Sequence, residues 1–340
     1  MRFQSCAIAS MLAIACSSAA SAQTVEAFYA GRTIDLVVGF PPGGGYDLFA
    51  RPIARRLGRF LPGNPNLVIR YMPGAGSLVA ANHAYSIAPK DGTVLAIISP
   101  TGPLEARLNP ANVKFTASHF NWIGRIGPQA FVAMIWHTSP VRTIEQARTT
   151  EVAFGTTGVG SGTQTYPAVT NSVLGTRFKL VTGYKGSADA LLAMERGEVQ
   201  AHATGIELIK TSRPEWLATK KVHLFTQFTV TRHPIMPDVP AVVEFARNHE
   251  EAAVLKAVMS AAEIGRAVLT TPGVPVDRVA ALRAAFEEML KDQEFVAELR
   301  KSEMDVIPMP GAQIGKLVDE LERLPPATIE KIRQAYNSGR

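Results

Sequence analysis

Three stretches share one design: VVGFPPGGGYD (37–47), GTTGVGSGTQ (155–164) and GYKGSAD (183–189). In each, an apolar run of strand length stops in glycine and hydroxyl residues, and a helical pattern starts directly afterwards. That order, strand then loop then helix, constrains the chain to an α/β class with helices covering a parallel sheet. Ile34 to Phe40 reads as the first strand, and Leu48 to Leu61 as its helix, with Phe49, Ile53, Leu57 and Leu61 on one face. NLVIRYMPGAGS repeats the logic as strand Leu67 to Tyr71, a turn at Gly74 and Gly76, and a helix from Leu78 to Tyr85. TVLAIISPTGP is a third strand that ends in a polar loop at Thr101.

The pattern restarts in the middle of the chain. Val132 to Trp136, Val152 to Phe154, Lys179 to Thr182 and Val199 to Ala203 read as strands, with residues 222–228 as the return strand. From PDVP onward the chain turns mostly helical, and Val276 to Leu290 and Ile314 to Leu324 carry apolar stripes, Phe286, Met289 and Phe295 being ordinary helix core. These elements predict two α/β units, the second inserted into the first. The division is 23–134 plus 230–340 for one lobe and 135–229 for the other. A pair of crossing strands joins the lobes, and a cleft between them is where a ligand is expected.

In open α/β sheets the carboxyl ends of parallel strands face the ligand crevice, where each following helix presents unpaired N–H groups and its positive end. Pro41 and Pro42 stop the first strand, and Gly43, Gly44 and Gly45 permit close backbone approach, with Tyr46 or Asp47 starting the helix and Asp47 placed as its N-cap. Thr156, Thr157, Ser161, Gly162 and Thr163 mark a second helix start, and Tyr184, Lys185 and Ser187 a third. Each suits a carboxylate or phosphate. Gly205, followed by Glu207 and Lys210, stands near another strand end, and His202 ends a strand close to the cleft.

More specific chemistry fails on spacing. No glycine loop carries the lysine of a P-loop, and Gly158, Gly160 and Gly162 run G-x-G-x-G without the acidic ribose partner of a dinucleotide fold. Ser161 lacks the nucleophile-elbow frame and a histidine placed to activate it, which weakens a serine hydrolase built on Ser161 or Ser187. His83, His119, His137, His202, His223, His233 and His249 are scattered singly, without the pairing of a zinc helix. No cofactor and no metal is expected. Against 29 Asp and Glu the chain has 35 Lys and Arg, a net charge of +6. These charges are spread along amphipathic helices, not gathered in a basic stripe with aromatics, which argues against nucleic acid.

Residues 1–22 read as an export signal, with Arg2 as the only charge, an apolar core from Ala7 to Ala15, and Ala20-Ser21-Ala22 as a cleavage site. Both cysteines, Cys6 and Cys16, fall inside it. The exported chain would then carry no thiol, no disulfide and no thiolate metal ligand, which fits a periplasmic location. Lipidation at Cys16 is disfavoured, because Ala13-Ile14-Ala15 lacks the usual leucine three residues before it.

FPPGGGYDLFAR, MPGAGS, APKDGTVL, GTTGVGSGTQ, YKGSADALL, RGEVQ and HPIMPDVPAVVE together resemble the Bug-type receptors of tripartite tricarboxylate transporters. The resemblance covers nearly all of the chain after the signal. It implies a type II periplasmic-binding fold whose two lobes close on a small organic carboxylate and pass it to integral-membrane permease subunits. A monomer without enzymatic activity is expected. The family's first glycine loop, matching Pro41 to Asp47, holds one carboxylate, and the loop matching Thr156 to Thr163 approaches its other end. This chain departs from the family with Tyr46 in place of threonine, Thr156 and Thr157 in place of serines, no histidine at Thr165 or Tyr166, Gln200 in place of aspartate and Ala241 in place of threonine. Tyr46 sets a ring beside the carboxylate loop and points to a more apolar ligand body. A sensor reporting to a membrane signalling protein would share this site.

Overall fold

A computed structural model describes residues 23–304 and 306–339. The expected signal, with Cys6 and Cys16, lies outside the described residues.

Buried residues alternate along the strands between two sides, and this places each sheet in the middle of its layer stack. Strands β1 (Thr33–Val38), β2 (Asn66–Tyr71), β3 (Val94–Ile97) and β4 (Asn121–Arg125) belong to a first sheet. Its β1 sends Ile34, Leu36 and Val38 into one apolar cluster and Val37 into another, so both faces are covered by helices. Strands β5 (Phe131–Trp136), β6 (Val152–Gly155), β7 (Phe178–Val181), β8 (Ala201–Gly205) and β9 (Val222–Gln227) form a second sheet, ordered β7-β6-β8-β5-β9. There Phe131, Ala133 and Ile135 face one cluster and Val132 and Met134 the other.

The chain then returns to complete the first sheet with β10 (Val268–Thr270) and β11 (Met309–Pro310), giving the order β11-β4-β10-β3-β1-β2. Neither sheet is purely parallel, contrary to the reading from periodicity. β10 lies antiparallel between β3 and β4, and β5 lies antiparallel between β8 and β9. In both sheets the strand laid down on arrival from the other sheet runs antiparallel to both of its neighbours, and the short β11 likewise runs antiparallel to β4. Where the two connections pass, Gly265 takes a φ of +65° and a Cβ there would stand 2.5 Å from the Gly127 carbonyl oxygen.

The expected division of the chain shifts at both crossings. β5 begins at Phe131 and lies wholly in the second sheet. Helix His249–Met259 packs on helix Gly162–Leu174, and so does the C-terminal helix Pro326–Ser338. Their buried Leu255, Val258, Ile332 and Tyr336 join Tyr166 and Val169 in one cluster, so these helices flank the second sheet although they follow residue 230. The short β10, without a period of its own, hid the late return.

The first glycine junction also differs in detail. Helix Gly45–Arg56 has Gly44 as its N-cap, in extended conformation, and continues as a tighter turn over Leu57–Phe60. Asp47 lies inside the first turn. Its Oδ2 accepts the Gly43 N–H at 2.8 Å and Arg51 Nε at 2.8 Å, and its Oδ1 accepts the Tyr71 hydroxyl at 2.5 Å. The carboxylate therefore braces the loop from behind, as an N-terminal acid does in a capping box.

Candidate functional site

Helices Gly45–Arg56, Gly162–Leu174 and Ser187–Glu195 start from N-caps Gly44, Ser161 and Gly186, none of which offers a side-chain capping bond. The first N–H groups of a helix have no intrahelical acceptor. Here they border one cavity of about 190 Å³ between the two sheets, lined by residues that include Gly44, Gly45, Ser161, Gly162, Gly186, Ser187 and Ala188. Each helix start contributes a positive partial charge of roughly half an elementary charge. Three of them converging from both sheets make the cavity attractive to an anion.

Of the residues expected at the site, Pro42, Gly44, Gly45, Tyr46, Thr157, Ser161, Gly162, Thr163, Lys185 and Ser187 line this cavity. The hydroxyls are held in a small network: Thr163 Oγ1 accepts the Thr157 N–H at 2.9 Å and lies 2.7 Å from Ser161 Oγ, which in turn donates to the Gly158 carbonyl at 2.6 Å. Ser161 is thus engaged in shaping its loop. Lys185 is exposed at the cavity rim.

The other expected residues stand elsewhere. Gly43 has its N–H turned to Asp47, and Asp47 sits behind the loop. Gly76 and Thr101 form a contact between the glycine loops of the two sheets. The Thr101 hydroxyl donates to the Gly160 carbonyl at 2.8 Å, and a Cβ on Gly76 (φ +59°) would meet Gly160 C and Ser161 N at 2.3 Å. Thr156 is fully buried; its N–H donates to the Val181 carbonyl at 2.8 Å, and its Oγ1 has no partner among the described residues. Tyr184 lines a neighbouring cavity of about 370 Å³ that shares Phe40, Pro41, Thr157 and Lys185 with the first. Gly205 gives clearance: a Cβ there would come within 2.0 Å of Glu207 Oε1 and 2.5 Å of Arg266 Nη2.

Arg266 is the principal residue that sequence reasoning missed. It is 2% exposed, lines the cavity, and pairs through Nη1 with the buried Glu207. Its guanidinium lies 5.3 Å from the centroid of Tyr46 and 4.6 Å from that of Phe49, and its Nε is buried without an acceptor among the described residues. Glu207, which the sequence places near a strand end, is therefore the internal counter-charge of Arg266. Gln129, Phe131 and Thr204 were also missed and complete the wall.

Tyr46 stacks on Phe40 at 4.0 Å with an interplanar angle of 12°. Ser99 and Gln129 lie beside its hydroxyl, and burial pushes the phenol up to about 12, so it stays neutral. His202 does not line the cavity. It is buried in β8 with Nδ1 2.8 Å from the Gly155 carbonyl, and burial pushes its imidazole down to about 4. It is uncharged at neutral pH and adds nothing to anion binding. Where the family has histidine, the Thr165 hydroxyl donates to the buried Glu105 at 2.9 Å; where it has aspartate, Gln200 Oε1 accepts the Ala153 N–H at 3.0 Å. Among the described residues no group of three or more His, Cys, Asp or Glu is placed to hold a metal ion. No described helix is long and apolar enough to cross a membrane.

Two sheets with the strand just after each crossing inserted antiparallel, and an enclosed cavity between them, define a type II periplasmic-binding protein fold. Known proteins agree. The periplasmic binding protein BugD superposes with a TM-score of 0.73 at 18% identity, over 90% of this chain and 98% of BugD. MatC from Rhodopseudomonas palustris, solved with bound malate, gives 0.70 at 21% identity, over 90% and 99% of the two chains. Protein BugT of Bordetella pertussis is 24% identical over 307 residues, 87% of this chain and 88% of BugT. The profile of the tripartite tricarboxylate transporter family receptors matches residues 50–333, and the chain belongs to that family. Its members are substrate-binding receptors, not enzymes, which removes the hydrolase reading.

Proposed function

We propose that the chain is an exported receptor that captures a small organic carboxylate between two closing lobes and delivers it to membrane permease subunits of a tripartite transporter. The observation that carries this reading is the convergence of three uncapped helix starts, drawn from both sheets, on one enclosed cavity. A carboxylate held there accepts main-chain hydrogen bonds, each contributing about 1.5–3 kcal/mol to a charged group. A few such bonds from both lobes are of the size that micromolar affinity, about 8 kcal/mol, requires after association costs. The malate bound to MatC supports the ligand class. The lobes are the two sheets with their helices, and they hinge about residues 126–130 and 264–267, where the connections cross. The ligand touches both lobes, so it favours the closed form by differential binding.

A thermal-shift screen of mono-, di- and tricarboxylates tests the reading. Ligand at 100 times its dissociation constant stabilises by about 2.7 kcal/mol, which raises the melting temperature by several degrees. A screen flat across carboxylates but positive for amines or sugars refutes it.

A further inference from the structure

We infer, on the carboxylate reading above, that the cavity selects an acid with a single carboxylate and a compact ring as its body, and disfavours di- and tricarboxylates. The first argument is charge. The cationic side chains in the wall are Lys185 and Arg266, and Asp189 stands in the same wall. Arg266 is already ion-paired with Glu207. It is also wedged: a Cβ on Gly45 would lie 2.8 Å from its Nη2, and one on Gly205 2.5 Å from the same atom. On those two sides the backbone closes round the guanidinium, and the Glu207 pair holds it in place. Two cations facing two carboxylates leave the helix starts as the net positive element, sufficient for one anionic group. A second ligand carboxylate set against the aromatic side, away from Lys185 at the rim, would lose its water without gaining a counter-charge, which is costly in a closed site.

The second argument is surface. Phe40, Pro41, Pro42, Tyr46 and Phe131 give the cavity an apolar side, with Phe40 and Tyr46 held parallel and the phenol kept neutral. Tyr46 is pinned by Phe40 and lies beside Arg266, so the wall is preformed. The third is size. The cavity holds about 190 Å³, and an apolar cavity of about 150 Å³ is enough to admit benzene. One ring and one carboxylate fill it.

Isothermal titration of the exported chain, refolded from denaturant to strip bound solute, with benzoate, succinate and citrate decides the matter. Benzoate is expected to bind at least about tenfold more tightly than succinate, a difference of about 1.4 kcal/mol. Tyr46→Thr should lower benzoate affinity about fivefold or more, and Glu207→Gln, by releasing the charge of Arg266, should raise succinate affinity and narrow the ratio. Succinate or citrate binding more tightly than benzoate overturns the inference and leaves the carboxylate receptor standing. If none of the acids tested here or in the thermal-shift screen binds, both readings fall. The comparison in the unsubstituted chain does not depend on either variant folding.

Discussion

Replacing Thr101 by valine removes one hydrogen bond whose two ends belong to different lobes. Thr101 is fully buried, and its hydroxyl donates to the Gly160 carbonyl at 2.8 Å. It also lies 2.6 Å from Ser99 Oγ, a contact within the first lobe that survives opening. Loss of the Ser99 contact lowers the stability of both open and closed forms and cancels in the binding equilibrium. Loss of the Gly160 contact is felt only when the lobes meet. Valine keeps the shape and leaves the carbonyl buried without a donor, at a cost of about 1–3 kcal/mol. Because closure and binding are coupled, the dissociation constant should rise by about 5- to 150-fold. Gly76→Ala acts on the same clasp from the other side. Its Cβ would stand 2.3 Å from two backbone atoms of the second lobe, so its effect on affinity should exceed that of Thr101→Val. Calorimetry with the acid giving the largest thermal shift measures affinity, and urea unfolding without ligand measures stability. Affinity within twofold of the parent for both variants, whatever their stability, refutes the clasp.

Two further substitutions separate scaffold from site. His202 is held down to about 4 by burial against about 6.5 when unfolded, so the unfolded chain takes the extra proton and stability falls as pH drops through that window, by about 3 kcal/mol in all. His202→Gln should flatten that fall, and urea titrations at pH 7.5 and pH 4.5 that show the same loss in both proteins contradict it. Asp47→Asn weakens bonds to the Gly43 N–H, Arg51 and Tyr71 and should destabilise the chain by about 1–3 kcal/mol, read in the same unfolding assay. An unfolding midpoint equal to the parent's would show that the acid does not brace the loop.

Periodicity made most of the fold legible. The predicted face of Phe49, Ile53, Leu57 and Leu61 is buried, and strands such as Leu67 to Tyr71 and residues 222–228 fall within a residue of Asn66–Tyr71 and Val222–Gln227. What escaped was non-local. β10 is three residues long and is a strand only because β3 and β4 flank it. Arg266 stands two residues before it and meets Tyr46 and Glu207 only through the crossing, so no window of sequence joins them. The same holds for Gly76 and Thr101. Their residue types announced a loop at a strand end, but their partner is a backbone loop from the other half of the chain. Asp47 was misread because PPGGGYD offers several helix starts, and an extended Gly44 took the cap.

The glycines turn out to serve distinct ends, and this bears on what the receptor can hold. Gly44 and Gly186 bring main-chain donors to the cavity, Gly76 lets one lobe's loop rest on the other's, and Gly45 and Gly205 make the slot in which Arg266 lies. A binding protein that needed a mobile cation to grip several carboxylates would gain nothing from such a slot, because burial and the Glu207 pair fix the guanidinium before ligand arrives. The fixed pair instead acts as a polar backing for Tyr46 and Phe49, holding the aromatic wall in register while carrying almost no net charge into the cavity. On the proposed reading, anion recognition is thereby left chiefly to backbone N–H groups, with Lys185 at the rim, and these come together from both lobes on closure. If selectivity for the ligand's body rests on the wall and affinity for its carboxylate on the closing, as proposed, changes to Tyr46 should alter which acid binds while changes at Thr101 and Gly76 should scale all acids alike.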